Sequence, residues 1–245
     1  MSEKLFKKLR NMTIVMTLLL AYSLYFGWCE ETNTNKTGAN VKEKFTIAID
    51  AGHGGRDPGV VSKKGDLEKD INLSLAIKLK RLMESEGAKV VMVRESDEAL
   101  YKDSDTNKKV ADMRNRVKKV NDSKADLFVS IHVNSYVDEK VYGSQVFYLK
   151  GDEESSKLAN LIQKNLNKIR SDKEGKEAKA NKSYYLLKNI NAPAVIAECG
   201  FLSNEEELAL LKEESYQEKV AWAIHMGVME YYNDTNILED CESTK

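Results

Sequence analysis

Residues 45–59 read FTIAIDAGHGGRDPG, an apolar run that ends at Asp50 and opens at once into a glycine-rich loop carrying His53. A short run of this kind with glycines at its exit predicts a buried strand whose downstream end holds a loop. Working outward, Lys89–Val93 (KVVMV), Ala125–Ile131 (ADLFVSI) and Ala194–Glu198 (AVIAE) repeat the pattern, and Ser144–Leu149 and Tyr184–Lys188 are further strand candidates. Helical spacing fills the gaps. Ile71, Leu75, Leu79 and Leu82 mark one face of a helix over about 69–86, which Gly87 ends. Val110, Met113, Val117 and Val120 mark a second helix, and Leu158, Leu161, Ile162 and Leu166 a third. Ser203 to Glu206 has the capping-box spacing that opens a helix, and a last helix is expected over about 214–232. Strands alternating with helices predict a single α/β domain, a twisted and mostly parallel sheet with helices on both faces.

The 245 residues are 42% hydrophobic with two prolines and thirteen glycines, enough for a sizeable core and unlike a collagenous or disordered chain. Three cysteines (Cys29, Cys199 and Cys241) cannot build a disulfide framework. A net charge of −1 offers no basic face for nucleic acid, so no nucleic-acid partner is expected. That balance is uneven along the chain. Lys4, Lys7, Lys8 and Arg10 precede an uncharged run, NMTIVMTLLLAYSLYFGWC (11–29), the pattern of a signal peptide or an uncleaved membrane anchor. Residues 1–28 carry four basic groups and one acidic group, which leaves −4 on the remainder. The expected organisation is a leader or anchor over 1–29, a polar linker over 30–44, a catalytic domain over 45–234 and a short acidic tail over 235–245. Export follows, to a membrane-anchored or secreted location.

Polar groups fall at the downstream ends of three predicted strands: Asp50 and His53, then Ser130, His132 and Asn134, then Glu198. In open α/β sheets these ends meet at the ligand crevice. Glu68 adds a carboxylate at the start of the first helix. Two imidazoles and a carboxylate with a fourth position open make a catalytic zinc site, and a second carboxylate such as Glu198 then moves protons. The bland alternatives stand beside this. His53 could hydrogen-bond its own turn, His132 could be a satisfied core histidine, Glu68 a solvated first-turn charge and Glu198 a strand-end carboxylate bonded to backbone. His225, inside a continuous helical pattern, reads as packing. Asn134 is either an orienting group for His132 or substrate, or a turn residue. Cys199 with His132 as base would make a thiol nucleophile, but no third partner is assignable. The Lys-rich stretch over 168–182 reads as a solvated loop that could touch an anionic polymer.

The segments IAIDAGHGGRDPG (47–59), EKDINLSLA (68–76), ADLFVSIHVNS (125–135) and PAVIAECGFLSNEEE (193–207) together resemble the zinc-dependent N-acetylmuramoyl-L-alanine amidases that cleave peptidoglycan. The resemblance implies zinc (Zn2+) bound by His53, Glu68 and His132, Glu198 as the catalytic carboxylate, and peptidoglycan as substrate. The implied reaction is hydrolysis of the amide joining the lactyl group of N-acetylmuramic acid to L-alanine. An apolar leader on a bare catalytic domain is similar to the spore-former amidases whose product becomes muramic-δ-lactam in the cortex. A vegetative cell-wall autolysin, or a non-catalytic wall-binding or regulatory module on the same fold, is the alternative. A regulatory protein partner is compatible with the sequence but not legible in it.

Overall fold

The computed structural model describes Met16 and residues 45–243, with side chains to Thr235 in the last helix. The leader apart from Met16, the linker, Cys29 and Cys241 lie outside the residues whose side chains are described. Among the described residues no helix is long and apolar enough to cross a membrane.

The opening run becomes β1 (Thr46–Ala51), buried along all but its first residue. It is followed by α1 (Glu68–Ser85), β2 (Lys89–Met92), α2 (Lys108–Ser123), β3 (Leu127–Asn134), β4 (Gln145–Leu149), α3 (Glu153–Asn167), β5 (Lys179–Asn181), α4 (Tyr185–Asn189), β6 (Ala194–Phe201), α5 (Glu205–Leu211) and α6 (Glu214–Ser243). The six strands form one sheet in the order β2-β1-β3-β6-β4-β5. β2, β1, β3 and β6 run parallel, β4 runs antiparallel to β6, and β5 pairs parallel with β4. The predicted mostly parallel sheet is therefore present, with a reversed two-strand margin.

Strand alternation splits the core in two. Ile47, Ile49, Val129 and Ile131 pack with Leu75 and Leu79 of α1, Leu158 and Ile162 of α3, and Val220 and Ile224 of α6. Ala48, Phe128 and Ile196 face the other way, onto Val120 of α2 and Leu186 and Leu187 of α4. Helices thus cover both faces, as a sheet buried on both sides requires. Leu75 and Leu79 are fully buried, so truncating either to Ala would cost about 2–5 kcal/mol.

Four local expectations change. Tyr184–Lys188 is not a strand: Asn181 Oδ1 accepts the N–H groups of Ser183 and Tyr184, and the turn it makes starts α4. A run of four apolar residues (Tyr184–Leu187) carries too little periodicity to separate strand from helix. The edge strand is instead the three-residue β5 just before it. The cap of α5 is Asn204, whose side chain accepts from Glu207 N–H, while Ser203 Oγ accepts from Tyr136 N–H. The Lys-rich stretch is anchored at two points. Arg170 pairs with Asp172 and Glu206, and Lys176 lies over the Phe201 ring and donates to Gly143 O. The last helix also continues beyond Tyr232 as far as Ser243.

Candidate metal centre

The chain passes from β1 to β2 on one side and returns to β3 on the other, so the sheet reverses its winding between β1 and β3. Loops diverge at such a point and leave a crevice at the strand ends. His53 leaves β1 there, and His132 sits near the end of β3.

Glu68 reaches the same crevice because the loop from Gly54 to Leu67 folds over the start of α1. No side chain caps this helix; the carbonyls of Val60 and Pro58 accept the N–H groups of Glu68 and Lys69 instead. Val60 N–H in turn donates to Glu68 Oε2 at 2.9 Å. Gly59, at φ 67°, lets the loop turn so closely that a Cβ there would lie 2.5 Å from that oxygen.

Both Glu68 oxygens are shared between the two imidazoles. Oε2 lies 3.1 Å from His53 Nε2 and Oε1 lies 2.9 Å from His132 Nδ1. Val133 N–H and Asn72 Nδ2 also donate to Oε1. Glu68 is 2% exposed. Burial by itself would raise its carboxyl, but the imidazoles of His132 and His53 outweigh that and hold it far below the usual carboxylate range. Burial would lower His53, and Glu68 and then Asp57 reverse the effect and raise it. One ligand atom from each of His53, Glu68 and His132 falls within 4.8 Å of the others, a spread one ion could bridge. Two nitrogens and an oxygen are a donor set that suits zinc and leaves a position open.

Glu198 stands beside this cluster, paired in register with His132 across β3 and β6. It is 8% exposed, and its Oε2 is buried without a hydrogen-bond partner. Burial is the main force raising its carboxyl, and the neighbouring Glu68 adds to it against the His132 charge. One residue past His132 the register slips, so that Asn134 pairs with Phe201. Such an irregularity bends a strand beside a site and re-aims its side chains.

Asp57, Arg116 and Arg94, which the sequence did not single out, hold the cluster in place together with the strand-end residues Asp50 and Ser130. Asp57 Oδ2 meets His53 Nδ1 at 3.0 Å. Arg116, 3% exposed, joins Asp50 Oδ1 at 2.6 Å and donates to the carbonyls of Ala51 and His53. Arg94 donates to Ala51 O, Gly52 O and Lys69 O. Ser130 Oγ donates to the second Asp50 oxygen. These bonds over-determine a loop in which His53 itself adopts φ 63°, a conformation costing about 1–3 kcal/mol for a side chain-bearing residue. A signal for Arg116 was present, since it falls three residues after Met113 on the apolar stripe of α2. Nothing local marks Arg94.

Asn134 makes a turn, its Oδ1 accepting Ser135 N–H, and does not touch His132 by a hydrogen bond. Cys199 points into the core on the face opposite the cluster, and burial pushes its thiol far above the usual range, so it offers no thiolate. His225 is buried on α6 against the Trp222 ring and 3.6 Å from Glu86, and burial lowers it.

Residues 47–230 match the family model described as N-acetylmuramoyl-L-alanine amidase. The chain belongs to the N-acetylmuramoyl-L-alanine amidase family. It is a hydrolase with N-acetylmuramoyl-L-alanine amidase activity on peptidoglycan. The germination-specific N-acetylmuramoyl-L-alanine amidase of Bacillus subtilis is 34% identical over 233 residues, covering 93% of this chain and 97% of that one. The CwlD amidase of Clostridioides difficile, solved in complex with the GerS lipoprotein, is 44% identical with a TM-score of 0.75, covering 77% of this chain and 98% of that one. The catalytic domain of the amidase CwlV from Bacillus (Paenibacillus) polymyxa is 30% identical with a TM-score of 0.68, covering 77% and 98%. The mostly parallel α/β fold predicted from strand and helix patterning agrees with these structures.

Proposed function

We propose that this amidase is a zinc enzyme in which His53, Glu68 and His132 hold the metal and Glu198 moves the proton. The observation that carries this is the pairing of a carboxylate shared by two imidazoles with a second buried carboxylate, Glu198, whose Oε2 has no partner. Bound zinc supplies a Lewis acid for the lactyl carbonyl and lowers the pKa of water. Glu198 Oε2 accepts a proton from the attacking water. It then donates that proton to the L-alanine nitrogen as the amide C–N bond breaks, which gives a free amine and a lactyl carboxylic acid that loses water's second proton to solvent. Burial suits Glu198 to both halves of the exchange, because it brings the carboxyl closer to neutrality. Asp57, bonded to His53 Nδ1, orients that ring and fixes which nitrogen faces Glu68.

The biological setting in this reading is the exported side of the membrane, with residues 1–29 as signal or anchor, 30–44 as linker and 45–234 as the catalytic domain. The substrate is spore cortex and the product a precursor of muramic-δ-lactam, supported by likeness to a relative named for germination. The likeness to an amidase solved with a lipoprotein supports a protein partner of that kind.

Cortex and vegetative peptidoglycan digested with the wild type and with Glu198→Gln, followed by mass analysis of muropeptides and zinc content, test the reading. The wild type releases peptide from muramic acid and carries about one zinc per chain; Glu198→Gln keeps the zinc and loses about 10²–10⁴-fold in rate. Full activity in Glu198→Gln sinks the assignment, and preference for vegetative wall sinks the cortex setting.

A further inference from the structure

Beside the cluster, on the α2 side of the sheet, lies a cavity of about 350 Å³ lined by Arg56, Asp57 and Pro58 of the His53 loop, Tyr101, and Lys109 and Asp112 of α2. It begins one side chain from the metal ligands, since Asp57 both walls it and touches His53.

Most of its charges are already paired. Asp112 spends one oxygen on Leu100 N–H and the other on Arg116 Nε. Asp57 is divided between His53 and Gly59 N–H. Lys108 lies over the Tyr101 ring and pairs with Asp103. Arg56 and Lys109 remain. Both are exposed, and among the described residues neither makes a hydrogen bond or close ion pair, although Lys109 lies near enough to Asp57 to help lower its carboxyl. Two cations without a hydrogen-bonded partner face one cleft and attract an anion, and Arg56 offers the planar fork that fits a carboxylate.

A second cavity, of about 290 Å³, opens beyond Val60 and is lined by Val61, Tyr136, Val137 and Leu202. Its rim charges are matched instead, Lys63 with Glu139 and Lys64 with Glu205. Of these two clefts, the first is the one whose cations lack a close ion-pair partner among the described residues.

We infer that the Arg56–Lys109 cleft is the subsite for a carboxylate of the peptide on the leaving side of the scissile amide. The inference rests on the amidase reading above. The muramic lactyl group is an uncharged amide before cleavage, whereas the peptide after L-alanine ends in a carboxylate, so the anion in the substrate belongs to the peptide. A carboxylate seated here pulls the leaving chain to the α2 side and lays the amide across the cluster. Arg56 and Lys109 are specificity-determining groups in this arrangement and take no part in proton transfer.

Two synthetic N-acetylmuramoyl peptides, one with free peptide carboxylates and one with them amidated, test this with the full chain. Arg56→Gln/Lys109→Gln raises KM for the free-carboxylate substrate by about tenfold, the size of one or two charge-assisted hydrogen bonds in an open cleft, and leaves its kcat unchanged. On the amidated substrate wild type and variant have the same KM. An unchanged KM on the free-carboxylate substrate overturns the subsite, and so does an equal rise on both substrates. Failure of the wild type to release peptide from either substrate overturns the amidase reading itself.

Discussion

Glu68 concentrates the demands of this site in one side chain. It is buried, ionised, and hydrogen-bonded by two rings, two backbone N–H groups and Asn72. Crowding on that scale leaves no slack around it. A Cβ at Gly52 would lie 2.2 Å from the His132 ring, so Gly52→Ala has to displace the imidazole from Glu68. The expected outcome is a folded protein with at least about tenfold weaker zinc affinity, measured by competition with a colorimetric chelator. Retention of wild-type affinity would mean that the ring's position does not matter to the metal.

At the scale of elements, the loop after β1 is held by α2 and by the exit of β2 rather than by its own sequence. Arg116 of α2 is buried against Asp50, and removing one partner of such a pair strands a charge in the core. Arg116→Met is expected to lose about 3–5 kcal/mol in urea unfolding and to loosen the His53 loop whose carbonyl it binds. The pH dependence gives a second reading of the same pair. Burial would raise the Asp50 carboxyl, but Arg116 outweighs it and holds the group below its ordinary value. A lowered carboxyl stabilises the fold fully above its ordinary value, and that contribution disappears as pH falls through the lowered one. In Arg116→Met the strongest opposition to burial is gone and only His132 and the Ser130 hydroxyl still hold the Asp50 carboxyl down, so this contribution shrinks. Urea melts at several pH values between about 5 and 3 should show the variant losing less stability on acidification than wild type. A parallel loss in both would contradict the pairing argument.

For the molecule as a whole, the proposed zinc site would couple metal to fold, because its three candidate ligands come from separate segments: the β1 exit, the α1 start and the β3 end. Zinc that binds only the assembled cluster stabilises the native state by mass action, about 2.7 kcal/mol at a hundredfold excess over Kd. Chelation is therefore expected to lower Tm by several degrees and readdition of zinc to restore it, followed by thermal denaturation. An identical Tm with and without chelator would mean that the cluster is not a metal site in the folded protein.

Much of this arrangement was legible along the chain. Buried strands declared themselves as short apolar runs, helices as stripes at 3.6-residue spacing, and the cluster as polar residues waiting at the strand ends. These are local signals, set by which face of an element must leave water. Tyr184–Lys188 escaped because four apolar residues in a row suit either element, and the choice was made by the Asn181 turn. Arg94, Arg116 and Asp57 escaped because their partners are loop carbonyls and a ring that chain folding alone brings near. The amino-acid sequence by itself determined the fold class, the family and the identity of the four candidate site residues. Only the tertiary structure decided which oxygen faces which imidazole, why His53 tolerates its backbone conformation, and where charge is left unspent beside the site. The reason is physical: burial pattern is a property of each element, whereas hydrogen-bond pairing and residual charge exist only between elements once they are packed.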